Sequence, residues 1–339
     1  MKKLFLTPLF VTVLLVLSTT CAQAGGLFDL FGGVAGGNES KISVQYVEGD
    51  KMAEDEILVI KIKGMIFERD SDDHEGLPWD MKKDMIETVR KDVQAALERT
   101  SVKAILLEVD SPGGEVTATD ILHHELMKIK NAKKPIVVLI GTMAASGGYY
   151  VACVADHIMA HPTSIIGSIG VIMRTMNIEK LAAMIGYKDV TLKSEKAQRK
   201  DIMSPFREMT ADEKAMMMSL LNGIHDRFME VVAAGRKKTV AEITPLADGS
   251  IFLASQALSH GLIDAIGYRE DAIKKAQDLA GLKVAKVVRR KTKKGLAQLF
   301  SEMAEMNSGV PTMLMHLQEA LEGAGTPTMR YQFSIPGAH

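Results

Sequence analysis

Short apolar runs alternate with segments of helical periodicity, and this alternation limits the possible folds more than any other feature of the chain. The runs at 57–63, 104–109 and 135–140 have the length and composition of strands. Apolar residues recur at helical spacing between them, at 86–97 and about 119–130. A mainly parallel sheet covered by helices requires this order. The sequence therefore predicts an α/β fold with one catalytic domain.

A longer amphipathic helix is predicted to begin at Thr210. Thr210 and Glu213 have the spacing of a capping box, in which each residue satisfies a backbone group of the other. The three methionines at 216–218 are interpreted as core filling rather than as a substrate groove. Beyond about residue 270 the pattern becomes helical and basic, and then gives way to a proline-containing tail.

The first residues have the pattern of an export signal. Lys2 and Lys3 precede an apolar stretch at 4–17, and Ala-Gln-Ala at 22–24 is a typical cleavage site. An uncleaved signal would anchor the protein at the extracytoplasmic face of the membrane, whereas a cleaved one would release it into the periplasm. Lipidation at Cys21 is a third, less favoured outcome, because the residues before it fit the lipoprotein pattern poorly.

These patterns divide the chain into four parts. We expect a signal peptide or anchor at 1–24, a glycine-rich polar linker at 25–55, a catalytic domain at 56–270 and a helical extension with a tail at 271–339.

Charge and cysteine content exclude some classes of protein. The chain has 41 basic and 42 acidic residues, so no excess of positive charge indicates a nucleic-acid partner. The basic run at 289–294 is interpreted as a solvated face. Loss of the signal would leave Cys153 as the single cysteine, so no disulfide is expected to hold the domain.

Two glycine-containing turns follow predicted strands, at 110–114 and 141–148. The carboxyl ends of parallel strands are where α/β sheets place their sites. Glycines there allow backbone N–H groups to face a ligand, as in an oxyanion hole. Ser146 in the second turn is therefore a candidate nucleophile. A tight turn with a serine helix cap explains the same residues equally well.

Familiar partners for such a serine are missing. Ala144 breaks the Gly-x-Ser-x-Gly elbow, and no serine is followed three residues later by lysine. His157 and His161 lie in a predicted extended segment, where they would be about 13 Å apart and unable to share a metal. The run His-His-Glu at 123–125 lacks zinc-binding spacing.

Five ordered segments resemble the signature segments of the signal peptide peptidase A family. They cover roughly residues 57–270 and lie at 110–114, 144–150, 167–171, 200–207 and 261–267. The resemblance implies the Clp-protease/crotonase fold and a serine–lysine dyad that cleaves peptide bonds without a cofactor or metal. It also implies an exported or membrane-associated protein that degrades signal peptides or other apolar peptides.

The resemblance assigns Ser146 as nucleophile and Lys200 as general base, with Ser168 hydrogen-bonded to the lysine amine. A lysine serves as a base only where its surroundings lower the pKa of its ammonium group from about 10.4. The loop before Lys200 is about two residues longer than usual and has Glu195 where the family has glycine. Lys196 is therefore a second candidate. Lys193 and Lys196 lie in a polar stretch and are expected to be solvated, whereas Lys200 is expected to enter apolar surroundings.

The resemblance also assigns the oxyanion donors. They are the backbone N–H groups of Gly147 and of Gly114 or its neighbour Gly113. Members with one Ser-Gly-Gly-Tyr segment per chain form rings in which the lysine reaches a neighbour's serine. This chain has one such segment, so we expect a homo-oligomeric ring such as an octamer.

Two other functions are compatible with parts of the pattern. An inactive relative would use the same cleft to hold peptides or lipoproteins, although Ser146 and Lys200 argue against it. An acyl-CoA enzyme of the crotonase superfamily would use the same oxyanion turns. It would leave the export signal and Lys200 unexplained.

Overall fold

A mainly parallel β-sheet forms the centre of the structure, a computed structural model that describes residues 42–68, 84–291 and 329–332. The strands are β1 (Val44–Gly49), β2 (Glu56–Lys63), β3 (Val102–Ser111), β4 (Gly113–Glu115), β5 (Ile136–Ala145), β6 (His157–Ala160), β7 (Ile165–Gly167), β8 (Ile172–Met173), β9 (Ile251–Leu253), β10 (Ala265–Ile266), β11 (Lys286–Arg290) and β12 (Met329–Gln332). The helices are α1 (Met85–Glu98), α2 (Val116–Asn131), α3 (Gly147–Ala152), α4 (Glu179–Met184), α5 (Ala211–Arg236), α6 (Val240–Ile243), α7 (Ala254–Ser259) and α8 (Arg269–Ala280), with a 3₁₀ turn at Thr244–Leu246.

The main sheet runs in the order β1-β11-β2-β3-β5-β6-β10, and β7 continues the pairing with β5 beyond the end of β6. Pairing is parallel from β11 to β10, whereas β1 pairs antiparallel with β11, and β9 with β7. Ile57, Leu58, Val59 and Ile60 of β2 are all buried, which requires cover on both faces. Alanines of α8 contribute to the cover over Ile57 and Val59. The predicted fold class is confirmed.

Helix α5 begins directly after Thr210, as predicted, whereas α2 begins about three residues before its predicted start and α1 begins at a side-chain cap that was not predicted. The Asp84 side chain accepts a hydrogen bond from the Ile86 backbone N–H at 2.9 Å at the start of α1. Thr210 and Glu213 form both hydrogen bonds of the capping box at the start of α5. These bonds satisfy N–H groups that a helix leaves unpaired.

The methionine run in α5 does not fill the core as predicted. Met217 is buried, but Met216 and Met218 are exposed. Three consecutive helical residues point in directions about 100° apart, so one buried face cannot take all of them.

The sheet extends beyond the predicted catalytic domain at both ends. β1 lies in the predicted linker, and β11 lies in the predicted C-terminal extension, where Arg290 donates to Asp92 at 2.5 Å. The domain therefore includes at least residues 43–291. The predicted signal at 1–24 lies outside the described residues. Within the described ranges, no helix is both long enough and apolar enough to cross a membrane.

The 261–267 segment joins three parts of the fold. Asp264 accepts from the Ile158 backbone N–H at 2.7 Å and from both terminal nitrogens of Arg236 at 3.1 and 2.5 Å. Arg236 also donates to the Gly261 carbonyl at 2.9 Å. Burial opposes ionisation of Asp264, but hydrogen bonds from Arg236 and Ile158 hold its pKa below the usual range. This signature segment therefore connects β6 to the end of α5.

We predict that Asp264→Asn lowers the free energy of unfolding by about 1–3 kcal/mol at pH 7, because the substitution removes a charge-assisted interaction with Arg236. The folded-state pKa is depressed, so this contribution is present above about pH 4 and is lost as the pH falls through the folded pKa. Urea unfolding at several pH values measures it. Asp278→Asn, which breaks only an exposed pair with Lys274, should cost less than about 0.5 kcal/mol.

Candidate active site

The carboxyl ends of β3 and β5 meet at one edge of the sheet, as the sequence predicted. Ser111 pairs with Ala144 in the parallel register, which brings the two glycine-containing turns together. Asp110 braces the same edge, because its side chain accepts from the Met143 backbone N–H at 3.2 Å. The site is therefore built from backbone segments at a sheet edge.

Ser146 lies between β5 and α3 in a strained conformation. Its φ of 52° and ψ of −120° are rarely adopted by a residue with a side chain. The Ser146 N–H donates to the Gly167 carbonyl at 2.8 Å, and the Ser146 carbonyl accepts from Tyr149 and Tyr150 at 2.9 and 3.0 Å. These bonds at both ends of the residue hold the strained backbone.

The Ser146 hydroxyl is buried and has no hydrogen-bond partner among the described residues. It does not cap α3. A buried polar group without a partner is costly and rare in folded proteins. The simple interpretation of Ser146 as a helix cap is therefore not supported, and the hydroxyl remains available to another group.

Glycine is required after Ser146 because neighbouring atoms approach too closely for a side chain. A Cβ on Gly147 would lie 2.6 Å from Thr119 Oγ1, and a Cβ on Gly148 would lie 2.5 Å from the Ser111 carbonyl oxygen. Gly147 is the first residue of α3, so its N–H has no acceptor within the helix. This N–H is free to act as one oxyanion donor.

Gly113 and Gly114 differ in the availability of their N–H groups. Gly113 N–H donates to Ser111 Oγ at 3.1 Å. Its carbonyl accepts from Ile66 at 2.8 Å, and Glu115 N–H donates to the Ile66 carbonyl at 2.7 Å. Because backbone groups alternate in direction along a strand, the N–H of Gly114 faces away from Ile66. Of the two predicted donors, Gly114 is the one whose N–H is directed toward the position that β12 occupies.

Ser168 lies beside Ser146. Ala145 pairs with Gly167, so Ser168 follows the residue that accepts the Ser146 N–H. Ser168 is buried, also has a positive φ of 51°, and donates its N–H to the Ser250 carbonyl at 2.7 Å. The structure thus brings together the serines and glycines predicted for the site.

The space between strands β4 and β8, here called the groove, lies next to these residues and is filled by β12. β12 lies between β4 and β8 and pairs antiparallel with both. Tyr331 is opposite Gly114, and Arg330 is opposite Ile172 on the other side. β12 also contacts α3, which begins directly after Ser146. An extended chain with backbone pairing on both sides therefore fits beside the candidate nucleophile.

Two of the three lysines at 193–200 do not lie as expected, whereas Lys196 does. Lys200, predicted to enter apolar surroundings, is exposed in the single chain, and so is Lys196. Lys193, expected to be solvated, is partly buried and donates to Asp201 at 2.7 Å and to the Gln198 carbonyl at 2.9 Å. Desolvation of Lys200 is therefore not a property of one chain alone, and its role as base stays a prediction.

Other titratable groups near the sheet have structural positions. Burial lowers the pKa of His123 to about 4, so this ring stays neutral at physiological pH, edge-on to Tyr150. Burial raises the pKa of Cys153 to about 12, so its thiol is unreactive. His157 lies 3.9 Å from Asp264 in the connection between β6 and α5.

Comparison with known proteins decides the family. A model of peptidase family S49 matches residues 128–283. A Synechocystis protein provisionally named a protease is 37% identical over 257 residues, 72% of this chain and 91% of that protein. The chain belongs to peptidase family S49.

Two other relatives narrow the type of S49 peptidase. An Enterococcus faecium protein provisionally named signal peptide peptidase SppA is 40% identical over 176 residues, 52% of this chain and 51% of that protein. The chloroplastic serine protease SPPA of Arabidopsis thaliana is 28% identical over 231 residues, 68% of this chain and 33% of that protein. The predicted family is confirmed, and this S49 member is a serine peptidase of the SppA type.

Two residues of this S49 site were missed in the sequence. Ser111 Oγ donates to the Gly64 carbonyl at 2.7 Å and accepts from Gly113, which holds the turn before Gly114. The position of Ser111, two residues before the Gly113-Gly114 pair, could have indicated that its side chain holds this turn. Thr119 is buried behind Gly147, and its hydroxyl has no partner among the described residues. No sequence pattern pointed to Thr119.

We predict that Gly114→Val reduces kcat/KM for a peptide substrate about 100-fold or more. A Cβ at Gly114 would lie 1.8 Å from the Ile66 carbonyl oxygen, so β4 must move and its N–H donor moves with it. Circular dichroism and peptide hydrolysis measure fold and turnover. Gly223→Ala in α5 has no atom within 4 Å of the new Cβ and should keep wild-type kinetics. Unchanged kinetics in folded Gly114→Val would place the oxyanion hole elsewhere.

Proposed function

We propose that this S49 peptidase is an endopeptidase with Ser146 as nucleophile and Lys200 as general base. The observation that carries the proposal is the buried Ser146 hydroxyl, which lacks a partner among the described residues and follows the same sheet end as the N–H groups of Gly114 and Gly147. A hydroxyl next to two convergent backbone donors is arranged for acyl transfer.

In the proposed reaction, the neutral amine of Lys200 takes the Ser146 proton as the serine oxygen attacks the substrate carbonyl carbon. The N–H groups of Gly114 and Gly147 stabilise the negative charge on the carbonyl oxygen. Collapse of this intermediate breaks the peptide C–N bond, and the lysine returns the proton to the leaving amine. Water, deprotonated by the same amine, then attacks the serine ester. The ester C–O bond breaks, and the lysine ammonium returns its proton to the Ser146 oxygen.

Lys200 is proposed to act on the Ser146 of a neighbouring copy in a ring. Lys200 is exposed in the single chain, and the segment before it exposes large apolar side chains, among them Met184 at 84% and Leu192 at 94%. A soluble surface rarely carries such a group of apolar residues uncovered. A second copy would cover them and would also desolvate the amine, which a lysine base requires.

The proposed substrates are extended apolar peptides, including signal peptides. Backbone pairing on both sides of β12 supports binding of an extended chain by its main chain, which tolerates many sequences. Export, and attachment to the extracytoplasmic face of the membrane by the segment at 4–17, are proposed from the sequence pattern.

We predict that Ser146→Ala and Lys200→Met are each inactive in peptide hydrolysis, and that mixed assemblies of the two recover up to about one quarter of wild-type activity. Chance pairing completes one site in four when each site takes residues from two copies. Peptide turnover after subunit exchange measures the recovery, and sedimentation verifies mixing. Lys196→Met is the matched control and should keep at least about a tenth of the activity, because Lys196 is exposed like Lys200 but has no proposed role in proton transfer.

Three outcomes would count against this scheme. Activity in Ser146→Ala would exclude the serine mechanism. An inactive Lys196→Met with an active Lys200→Met would move the base to Lys196. Failure of verified mixed assemblies to recover activity would mean that each chain completes its own site.

The C-terminal segment provides a second test, because it already lies where a substrate is proposed to bind. By the alternation along β4, Gly114 N–H faces the carbonyl of Tyr331, the position of a scissile carbonyl. We predict that the wild-type protein slowly loses residues 332–339, whereas Ser146→Ala keeps them. Intact-mass spectrometry measures this loss. A tail shortened equally in both proteins would show that another protease removes it.

A further inference from the structure

The segment that carries Lys200 is held by ionic contacts more than by regular structure. Between β8 and α5, the only helix in the described chain is the short α4. Asp201, the residue after Lys200, accepts from Lys193 Nζ at 2.7 Å. It also accepts from Arg207 Nη2 at 2.8 Å and from Arg207 Nε at 3.0 Å. The backbone next to Lys200 is therefore fixed through the Asp201 carboxylate.

Arg207 connects this carboxylate to α5. Its terminal nitrogens donate to the two carboxylate oxygens of Glu213 at 2.7 and 2.8 Å, and Nη2 also donates to the Asp201 carbonyl at 3.2 Å. Glu213 in turn belongs to the capping box of α5 with Thr210. One guanidinium group thus binds two carboxylates bidentately, one beside Lys200 and one in a regular helix.

The cluster is shielded from water and stays ionised. The side chains of Asp201 and Glu213 are only 14% and 6% exposed. Hydrogen bonds from Arg207 and then Lys193 hold the pKa of Asp201 well below its usual range. Hydrogen bonds from Arg207 and Thr210 lower the pKa of Glu213 to about 2. Both carboxylates therefore keep their charge, and their contacts, at any pH used for a peptidase assay.

We propose that Arg207 is a positioning residue for catalysis, which orients the segment bearing Lys200 through Asp201. The inference rests on the proposed role of Lys200 as base. The Lys200 side chain forms no hydrogen bond or ion pair with the cluster in the described structure, so Arg207 acts on the orientation of the lysine through the backbone of Asp201. Lysine in place of Arg207 would keep the charge but lose the fork that binds two carboxylates.

The test compares Arg207→Met with wild type in peptide hydrolysis. We expect kcat to fall about 10- to 100-fold, because displacement of a reacting group by about 1 Å costs rate on this scale. KM should change less than about threefold, because the hydrogen bonds of Arg207 go to Asp201, Glu208 and Glu213 rather than to β4, β8 or β12. Arg207→Lys should recover part of kcat.

Arg99→Met is the matched control. Arg99 forms a comparable bidentate pair with the buried Glu56 at 2.8–3.1 Å, at the opposite edge of the sheet. We expect this variant to lose thermal stability while its kcat stays at the wild-type value. If both variants lost kcat equally, the loss in Arg207→Met would be explained by general destabilisation of the fold, and the proposal would be overturned.

A double-mutant cycle with Lys200→Met separates the two proposals. The rate at which a fluorophosphonate labels Ser146 is compared in Lys200→Met and in the double variant Lys200→Met/Arg207→Met. If Arg207 acts through Lys200, the two rates are equal. A further loss, or wild-type kcat in folded Arg207→Met, would overturn the positioning role alone. A fully active Lys200→Met would overturn the proposed function itself. If Arg207→Met does not fold, the isosteric Asp201→Asn takes its place, with the same expected loss of kcat.

Discussion

Close approach of backbone to backbone at the ends of β3 and β5 is the constraint on which the site depends. Gly114 lies against Ile66, and Gly148 lies against Ser111, at distances that no side chain would allow. These contacts bring together the two turns that are proposed to supply the oxyanion donors beside Ser146. Since backbone donors are fixed by the sheet, they need no reorganisation when charge develops on a substrate.

The five signature segments divide into two kinds of residue. Some, such as Ser146, Ser168 and Gly114, meet at the sheet edge where the chemistry is proposed to take place. Others, such as Asp264, hold helices and strands in position some distance from that edge. Arg207 belongs to neither group alone. Its hydrogen bonds hold the backbone in place, but one of their acceptors is Asp201, the residue next to the proposed base. A signature segment therefore does not by itself show whether its residues take part in catalysis or stabilise the fold.

Local patterns predicted the parts of the fold that depend on local physics. Periodicity gave the buried strands and α1, and hydrogen-bonding side chains gave the start of α5 at Thr210. β1, β11 and β12 were not predicted, because such short strands are defined by pairing partners far away in the chain. The exposure of Lys200 was also not predicted. The surroundings of this side chain depend on whether one chain or several form the site, and local sequence patterns do not show this.

Because β12 pairs with a strand on each side, a peptide that replaced it would have to be locally unfolded before it could bind. A segment that takes the place of β12 must present free N–H and C=O groups along both of its edges. Strands in folded sheets have at most one free edge, and helices have none, because their backbone groups are already paired. If substrates bind in the place of β12, as proposed, the groove would select chains that are locally unfolded rather than chains of one particular sequence. Intact globular neighbours would be spared without any dedicated recognition, whereas segments that have lost their own structure would be admitted.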